Sequence, residues 1–410
     1  YPASDFYVSI GGNEIVHISS RSGDVLTISQ RGRFGTTATD HDQQDRVQLC
    51  LHYAAVSPDL IIADLLTNYA GVPVDYIPAE EWASEIAAFN RRVYTALIAE
   101  PESVNALVSE LIEQAALAVW WDDIERRIRL RVLRAIPTSA ETITPDIFLT
   151  GSLRTREQPG ERISRVRTYF GHRNPLLKLD DPTSFRSAAM TVDLQNEGDY
   201  GSPSIHDIFS RWIPAFGRQV ATRVNDIQLG RFKEPPRRFN FDIFRQGTSL
   251  VPVLGAGYRL EGWPLQNDDG SLETVPIQIT RLNPLADRFG VEAEEMRFAL
   301  LDPEDLANRV IIIDTNTLNF NLRAVHDTLY PAPEDEDDFT LTVIVEAGVI
   351  VGSRSVNAAA FHAGNSGQWP DGVKIIVRVV GRIQGNGGRG GSGIASQDQN
   401  GQAGGPGLYT

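Results

Sequence analysis

Few residues in this chain have the types and spacing that chemistry needs, and in each case the surroundings argue against it. Gly385-Asn386-Gly387-Gly388-Arg389-Gly390 spells G-x-G-x-x-G. That loop cradles a pyrophosphate only when a helix follows it inside a βαβ unit and aims free amides at the ligand. Here a glycine-rich stretch follows to the last residue, so low complexity is the expected reading and no cofactor is expected. Cys50 and His52 lie two apart, on one face of a strand, without the third group that orients a base. Cys50 is therefore expected as a small core residue. Paired carboxylates occur at Glu80-Glu81, Asp122-Asp123, Asp180-Asp181 and Asp268-Asp269. Glycoside hydrolysis needs two acids facing each other across one cleft, whereas these pairs sit where turns and helix starts favour acids. His41 with Asp42 and Asp45 could approach a cation, but a hydrogen-bonded loop histidine is the simpler expectation. Asn267-Asp268-Asp269-Gly270 is too short for a calcium loop, whose oxygens continue through position twelve. The expectation is a protein without catalytic, cofactor or metal residues, and not an enzyme.

Composition narrows the class. The 410 residues leave room for several domains, and 41% of them are hydrophobic, enough for packed cores. Acids outnumber bases 53 to 38, a formal net charge of −15 that disfavours a duplex-DNA binder. One cysteine cannot form an internal disulfide. No apolar run approaches the ~18 residues of a membrane-spanning helix.

The elements follow from periodicity. Phe6, Val8 and Ile10 alternate with polar neighbours, and turns at Gly11-Gly12 and Ser22-Gly23 separate three strands. Residues 57–136 read as α+β. Ser57-Pro58 opens a helix with Ile61, Ile62, Leu65 and Leu66 on one face. A second helix aligns Trp82, Ile86, Phe89 and Val93, and a third, capped by Ser103, aligns Val104, Leu107, Val108, Leu111, Ile112 and Ala115. Val119–Trp121 and Arg127–Leu133 follow as two strands. Residues 137–309 hold short strands, including a hairpin from Gly255 to Ile279, and favour a barrel or sandwich. Arg154, Arg156, Arg162, Arg165 and Arg167 crowd its start. Their ordinary reading is a solvated strand face, and their functional one an interface with acidic neighbours. Val310–Val325 reads as one long strand, PEDEDD (333–338) as a solvated linker, and Phe339–Val351 and Val373–Gln384 as further strands. Residues 385–410 read as a glycine-rich tail that multimerisation could order. The expected units are 1–56, 57–136, 137–309, 310–384 and 385–410.

Three stretches, in order, resemble the hub and tail-tip proteins of long-tailed bacteriophages (siphophages). RGRFGTTATDH (Arg31–His41) is similar to a hub loop at Arg31, Gly32, Gly35, Thr36 and His41. Ser103–Arg134 resembles the helical insertion of such hubs. Ala347–Gly352, the Trp369–Gly372 motif and the glycine-rich end resemble a central tip. The resemblance implies a mainly β, multidomain virion protein with an α+β insertion, barrel-like β domains and an elongated tip. Residues 1–56 would be an incomplete first hub domain. It further implies a trimer at the distal end of the tail, closing the tube during host attachment and DNA ejection. Its partners would be itself, the distal tail protein and tail tube, the tape measure protein, other tail-tip or fibre proteins and a host surface receptor, with phage DNA passing through unbound. The alternative is a receptor-binding adhesin using Phe361, His362 and Trp369, since aromatics anchor many interfaces, although these three could equally cap a small β core. A cell-surface polysaccharide depolymerase is a third, weaker reading.

Overall fold

The computed structural model of the chain describes residues 1–409 except 124, 247–249, 268, 298–307, 366 and 388–404, and of Tyr409 the backbone alone. The alternation at the start builds an antiparallel meander. β1 (Phe6–Ile10) pairs with β2 (Glu14–Ser22), β2 with β3 (Val25–Gln30), and β4 (Val47–Leu49) returns beside β1. Phe6, Val8, Val16 and Ile18 fill its small core.

The next unit has the expected helices. β5 (Leu51–Val56) leads into α1 (Pro58–Asp64), which starts on a proline where a missing amide costs nothing and continues as a π-helical turn over Leu65–Tyr69. α2 (Ala79–Phe89) buries Trp82 and Ile86. Val93, expected on the same face, lies beyond the end of α2 and is buried independently. β6 (Tyr94–Ile98) pairs with β5, and α3 (Val104–Ala115) starts at Ser103, whose Oγ accepts from the Ala106 amide at 3.1 Å. Ala116 then turns at φ +52° into the hairpin of β7 (Leu117–Asp122) and β8 (Arg127–Val132).

The following sheet is assembled from distant pieces. β9 (Thr142–Ile143) and β10 (Arg154–Glu157) come first, and then the chain leaves. It builds β11 (Arg165–His172), β12 (Phe185–Val192), α4 (Leu194–Tyr200), β13 (Ile205–Phe209) and α5 (Arg218–Phe232), with α5 laid across β11 and β12. It returns as β14 (Arg237–Phe244), β15 (Gly257–Leu260), β16 (Val275–Pro284) and β17 (Arg288–Glu295), giving the order β10-β14-β17-β16-β15-β9. The chain is mainly β with an α+β portion, as expected. The barrel-like form expected for 137–309 is absent among the described residues. The edge strands β10 and β9 are four and two residues long and do not meet, so the sheet stays open.

The C-terminal region is a three-rung parallel β-solenoid. Val310–Val325 is not one strand. β18 (Asn308–Ile313), β19 (Thr317–Leu318) and β20 (Phe320–Asn321) lie on three faces, with a corner at Asn319 (φ +53°), and α6 (Leu322–His326) follows. Buried residues Ile311, Ile313, Phe320 and Leu322 keep pointing inward around the corners, which is why the pattern reads as continuous alternation. The second rung is β21 (Thr340–Val345), β22 (Ile350–Gly352) and β23 (Phe361–His362). The third is β24 (Lys374–Val379), β25 (Arg382–Gln384) and β26 (Leu408–Tyr409). Each strand pairs in parallel with its counterpart one rung away, so Ile311, Val343 and Val377 form one inward column. PEDEDD runs between the first two rungs. Of the glycine-rich segment, 388–404 lies outside the described residues. Its two ends meet where the Gly405 amide donates to the Asn386 carbonyl (2.8 Å), and the Gly407 carbonyl then accepts from Phe361. The solenoid docks on α5, with the Tyr330 hydroxyl donating to Gln219 at 2.9 Å and Arg218 paired to Glu346 at 2.7 Å.

Candidate functional site

The 31–41 loop is organised around a residue that the sequence reading did not single out. The Glu14 side chain, at the start of β2, is fully buried. It accepts from Arg31 Nη2 (2.6 Å) and Nε (3.1 Å), the Gly32 amide (2.9 Å), the Thr39 amide (3.2 Å) and His41 Nε2 (2.8 Å). Burial alone would raise its pKa, but these donors from Arg31, Thr39, His41 and Gly32 together lower it to about 2. Thr36 Oγ1 donates to the Arg33 carbonyl (2.7 Å) and accepts from the Ile15 amide (3.1 Å). Gly35 sits at φ +82° against the Arg173 carbonyl, where a Cβ would collide. All five loop residues thus serve one fixed turn between β3 and β4 of the meander. The signal available in sequence was an acid in alternation with Val16 and Ile18, on the inward face of β2.

The five arginines divide. Arg165 makes a bidentate pair with Glu197 (2.5 and 2.7 Å) and Arg167 one with Asp207 (2.9 Å twice). Arg162 donates to Asn196 (2.6 Å) and the Ser202 carbonyl (2.9 Å) and lies 4.5 Å from the Tyr200 ring centroid. Arg154 turns back to the Gly151 and Leu153 carbonyls, and Arg156 on β10 stands opposite Arg238 on β14. Arg165 and Arg167 lie on the face of their sheet turned away from α5. Met190 and Ile205 lie beside them there, 60% and 55% exposed.

Phe361 and Trp369 belong to the hydrophobic core of the solenoid, while His362, the next residue on the strand, takes the opposite face from Phe361. Phe361 is fully buried and stacks on Phe320 across the rungs at 5.2 Å. His362 follows on β23, half-buried. Half-buried Trp369 donates from Nε1 to the Ala363 carbonyl (2.8 Å) and meets His326 edge-on at 5.1 Å. His326 itself is fully buried, between Tyr330 (5.3 Å) and Phe339 (5.8 Å). Arg309 Nη1 donates to its Nε2 and its Nδ1 donates to Asp327, each at 2.8 Å. Burial pushes its pKa down to about 4, so the ring is neutral at pH 7.

Each remaining acid pair has at least one member with a structural partner, and Cys50, His52 and His41 are packed or hydrogen-bonded. Cys50 is buried, and burial pushes its thiol up to about 12, while His52 packs edge-on against Tyr7 (5.1 Å) and Phe34 (5.3 Å). Glu81 joins Arg127 and Arg129 at 2.6 Å each, Asp123 accepts from Trp121 Nε1 (2.8 Å), Asp181 caps Thr183 (2.8 Å) and Asp269 accepts from Ser271 (2.9 Å). His41 also reaches Asp45 at 3.3 Å, and the Asp42 amide donates to the same carboxylate at 3.1 Å. Asp268 lies outside the described residues.

Comparison with known proteins bears chiefly on the solenoid. No curated protein matches the sequence. Solved structures similar to the chain include the 43 kDa tail protein of prophage MuSo2 from Shewanella oneidensis (13% identity, TM-score 0.36, covering 72% of this chain and 81% of that one). Prophage tail protein gp18 from Listeria monocytogenes EGD-e is similar at 9% identity and TM-score 0.31, covering 72% of this chain and 89% of its own. A tail protein from Neisseria meningitidis MC58 is similar at 10% identity and TM-score 0.32, covering 72% and 96%. Residues 308–410, the region of the solenoid, match the family described as phage tail fibre adhesin Gp38, so this part of the chain is similar to a phage tail protein.

Proposed function

We propose that the chain is a structural, non-enzymatic subunit of a phage tail tip. Three copies would close into a hub at the distal end of the tail tube, with the solenoid as the central tip. The observation that carries this reading is β3. It is the outer strand of the meander, unpaired on its far edge among the described residues. Its sequence VLTISQ has no charge or proline, and Val25 is 68% exposed. Chains that remain single blunt such edges with charge, proline or a bulge; β3 is irregular where its register with β2 shifts around Ile28, but its Val25–Thr27 end pairs regularly and stays open to another chain. In this reading the distal tail protein and tape measure protein meet the ring, and the net charge of −15 lets DNA pass without being retained. Light scattering of the purified chain is expected to give three times 45.2 kDa. Val25→Lys with Ile28→Lys should return it to one copy, and a wild-type monomer would remove the hub.

The Gp38 match to 308–410 favours a second reading, a receptor-binding adhesin carried by the solenoid. With Phe361 in the core, contacts would fall to the corner loops, such as 353–360. Substitutions there that change host range without changing particle assembly would separate this reading from the hub.

A further inference from the structure

The six-stranded sheet has a gap in its solvent face. Along β14, Phe239, Phe241 and Ile243 point to the core, so Asn240 and Asp242 point out. By the same alternation β17 turns out Gly290 and Glu292, and β16 turns out Arg281 and Asn283. The register sets these six in two rows, Asn240-Glu292-Arg281 and Asp242-Gly290-Asn283. With no side chain at the centre of the second row, a cleft of about 400 Å³ opens there, bordered also by Ser152. Asn240, Arg281, Asn283 and Glu292 are exposed and Ser152 and Asp242 half-buried, so a ligand can reach them all. Nothing in the fold asks for that glycine. Its φ lies outside the left-handed region, and a Cβ would meet Asp242 Oδ1 at 3.5 Å and Asn283 Cβ at 3.6 Å, ordinary contact distances. The register shift beside it falls on β16, between Ile279 and Arg281. Glycine inside a strand weakens it, and one without a backbone reason marks a place where a ligand or another chain comes close.

The groups around the gap define what fills it. Arg281 is paired with Glu292 and Arg288 with Asp242, each at 3.4 Å, so the charges cancel in pairs and an ion finds no net charge. The Asn240 and Asn283 amides make no hydrogen bond among the described residues. Ser152 Oγ accepts from the Asp242 amide at 3.2 Å and keeps its own hydrogen to give. Donors and acceptors therefore stand side by side, which suits neighbouring hydroxyls that each donate and accept. We propose that this cleft binds a neutral sugar chain, one pyranose ring lying over Gly290 with its hydroxyls shared between Asp242 and Asn283. Phe244, the next outward residue of β14 and 40% exposed, offers the following ring an apolar face. The volume lies within the range of small-ligand clefts. The cleft involves neither β3 nor the solenoid and rests on neither reading of function.

Calorimetric titration of the full chain with tetrasaccharides of glucose, galactose, mannose and N-acetylglucosamine tests it. At least one is expected to saturate a single site, with the same affinity at low and high salt because the ligand is neutral. Gly290→Ala should leave the thermal midpoint of the free protein unchanged or raised, yet weaken that sugar about tenfold. A glycine kept for the strand's own geometry would instead lower the midpoint. Asn283→Ala, at an exposed position, should weaken the sugar by about the same factor with the midpoint unmoved. The proposal is overturned if none of the four sugars saturates, if salt weakens the binding, if Gly290→Ala lowers the midpoint, or if both variants bind as well as the wild type.

Discussion

Glu14 in the meander and His326 in the solenoid are both fully buried and ionisable, yet the two regions treat them oppositely. Around Glu14 a tight loop brings two backbone amides, a guanidinium and an imidazole to one carboxylate, so the charged form is the stable one. Around His326 three aromatic rings take the space, and its two nitrogens find one acceptor and one donor, so the neutral form is the stable one. A loop can converge donors on a point because its backbone is free to turn. α6 and the segments around it instead crowd rings against the imidazole and leave it one donor and one acceptor. Burial by itself therefore does not decide ionisation; the geometry that supplies partners does.

The largest test of this contrast is Glu14→Gln. A neutral amide leaves Arg31 and His41 facing no charge, a loss of about 3 kcal/mol. Hydrogen exchange should speed roughly a hundredfold in strands β1 to β4 and stay unchanged in the solenoid; equal acceleration in both regions would break the separation. Acid comes second. Because the pKa of His326 is depressed from 6.5 to about 4, the unfolded chain takes the proton first. Solenoid stability should then fall as pH drops from 6.5 to 4, by no more than about 3 kcal/mol. Glu14, lowered from 4.5 to about 2, stabilises fully above pH 4.5 and loses that contribution as pH falls through 2. Denaturant melts of His326→Phe should show a smaller loss between pH 6.5 and 4 and an unaltered loss below. His172, also pushed down to about 4, contributes equally to both proteins and cancels. Third, Gly35→Ala adds a Cβ at positive φ against the Arg173 carbonyl, and unfolding midpoints should show a cost of about 1–3 kcal/mol. The smallest effect is Arg167→Ala. Its pair with Asp207 is about one-third exposed at both ends, so the same midpoints should move by less than about 1 kcal/mol, marking how little a similar pair is worth near water.

Local patterns were legible where neighbours in sequence are neighbours in space. Ser103 capping α3, Trp82 and Ile86 on one face of α2, the β7–β8 hairpin and the β15–β16 pairing all follow from spacing alone. The solenoid was not legible. Its partners lie a full rung apart, as Ile311, Val343 and Val377 show, and corner loops of unequal length blur the repeat. Open and closed sheets share the same alternation, so the short edges of β9 and β10 could not be foreseen from pattern. Of the candidate sites, the 31–41 loop was recognised as a unit, but its organiser, Glu14, is seventeen residues from Arg31 and gives no motif. Phe361 and Trp369 look alike whether they cap a core or face a partner, since residue type alone does not give exposure.

The excursion between β10 and β14 also sets an order of events in time. Emerging from the ribosome, β9 and β10 have nothing to pair with until β14 and β15 are made, dozens of residues later. Meanwhile α1 to α3 are complete, and the excursion can settle on α3, as Trp212 Nε1 donating to the Glu110 carboxylate shows (3.1 Å). Chains made from one end fold unit by unit, and long-range pairings form late. The α+β core should become protease-resistant in a nascent chain stopped near residue 235, while β9 and β10 remain cleavable. The solenoid, whose first rung leans on α5, would be the last part to grow, one rung at a time on a base already standing.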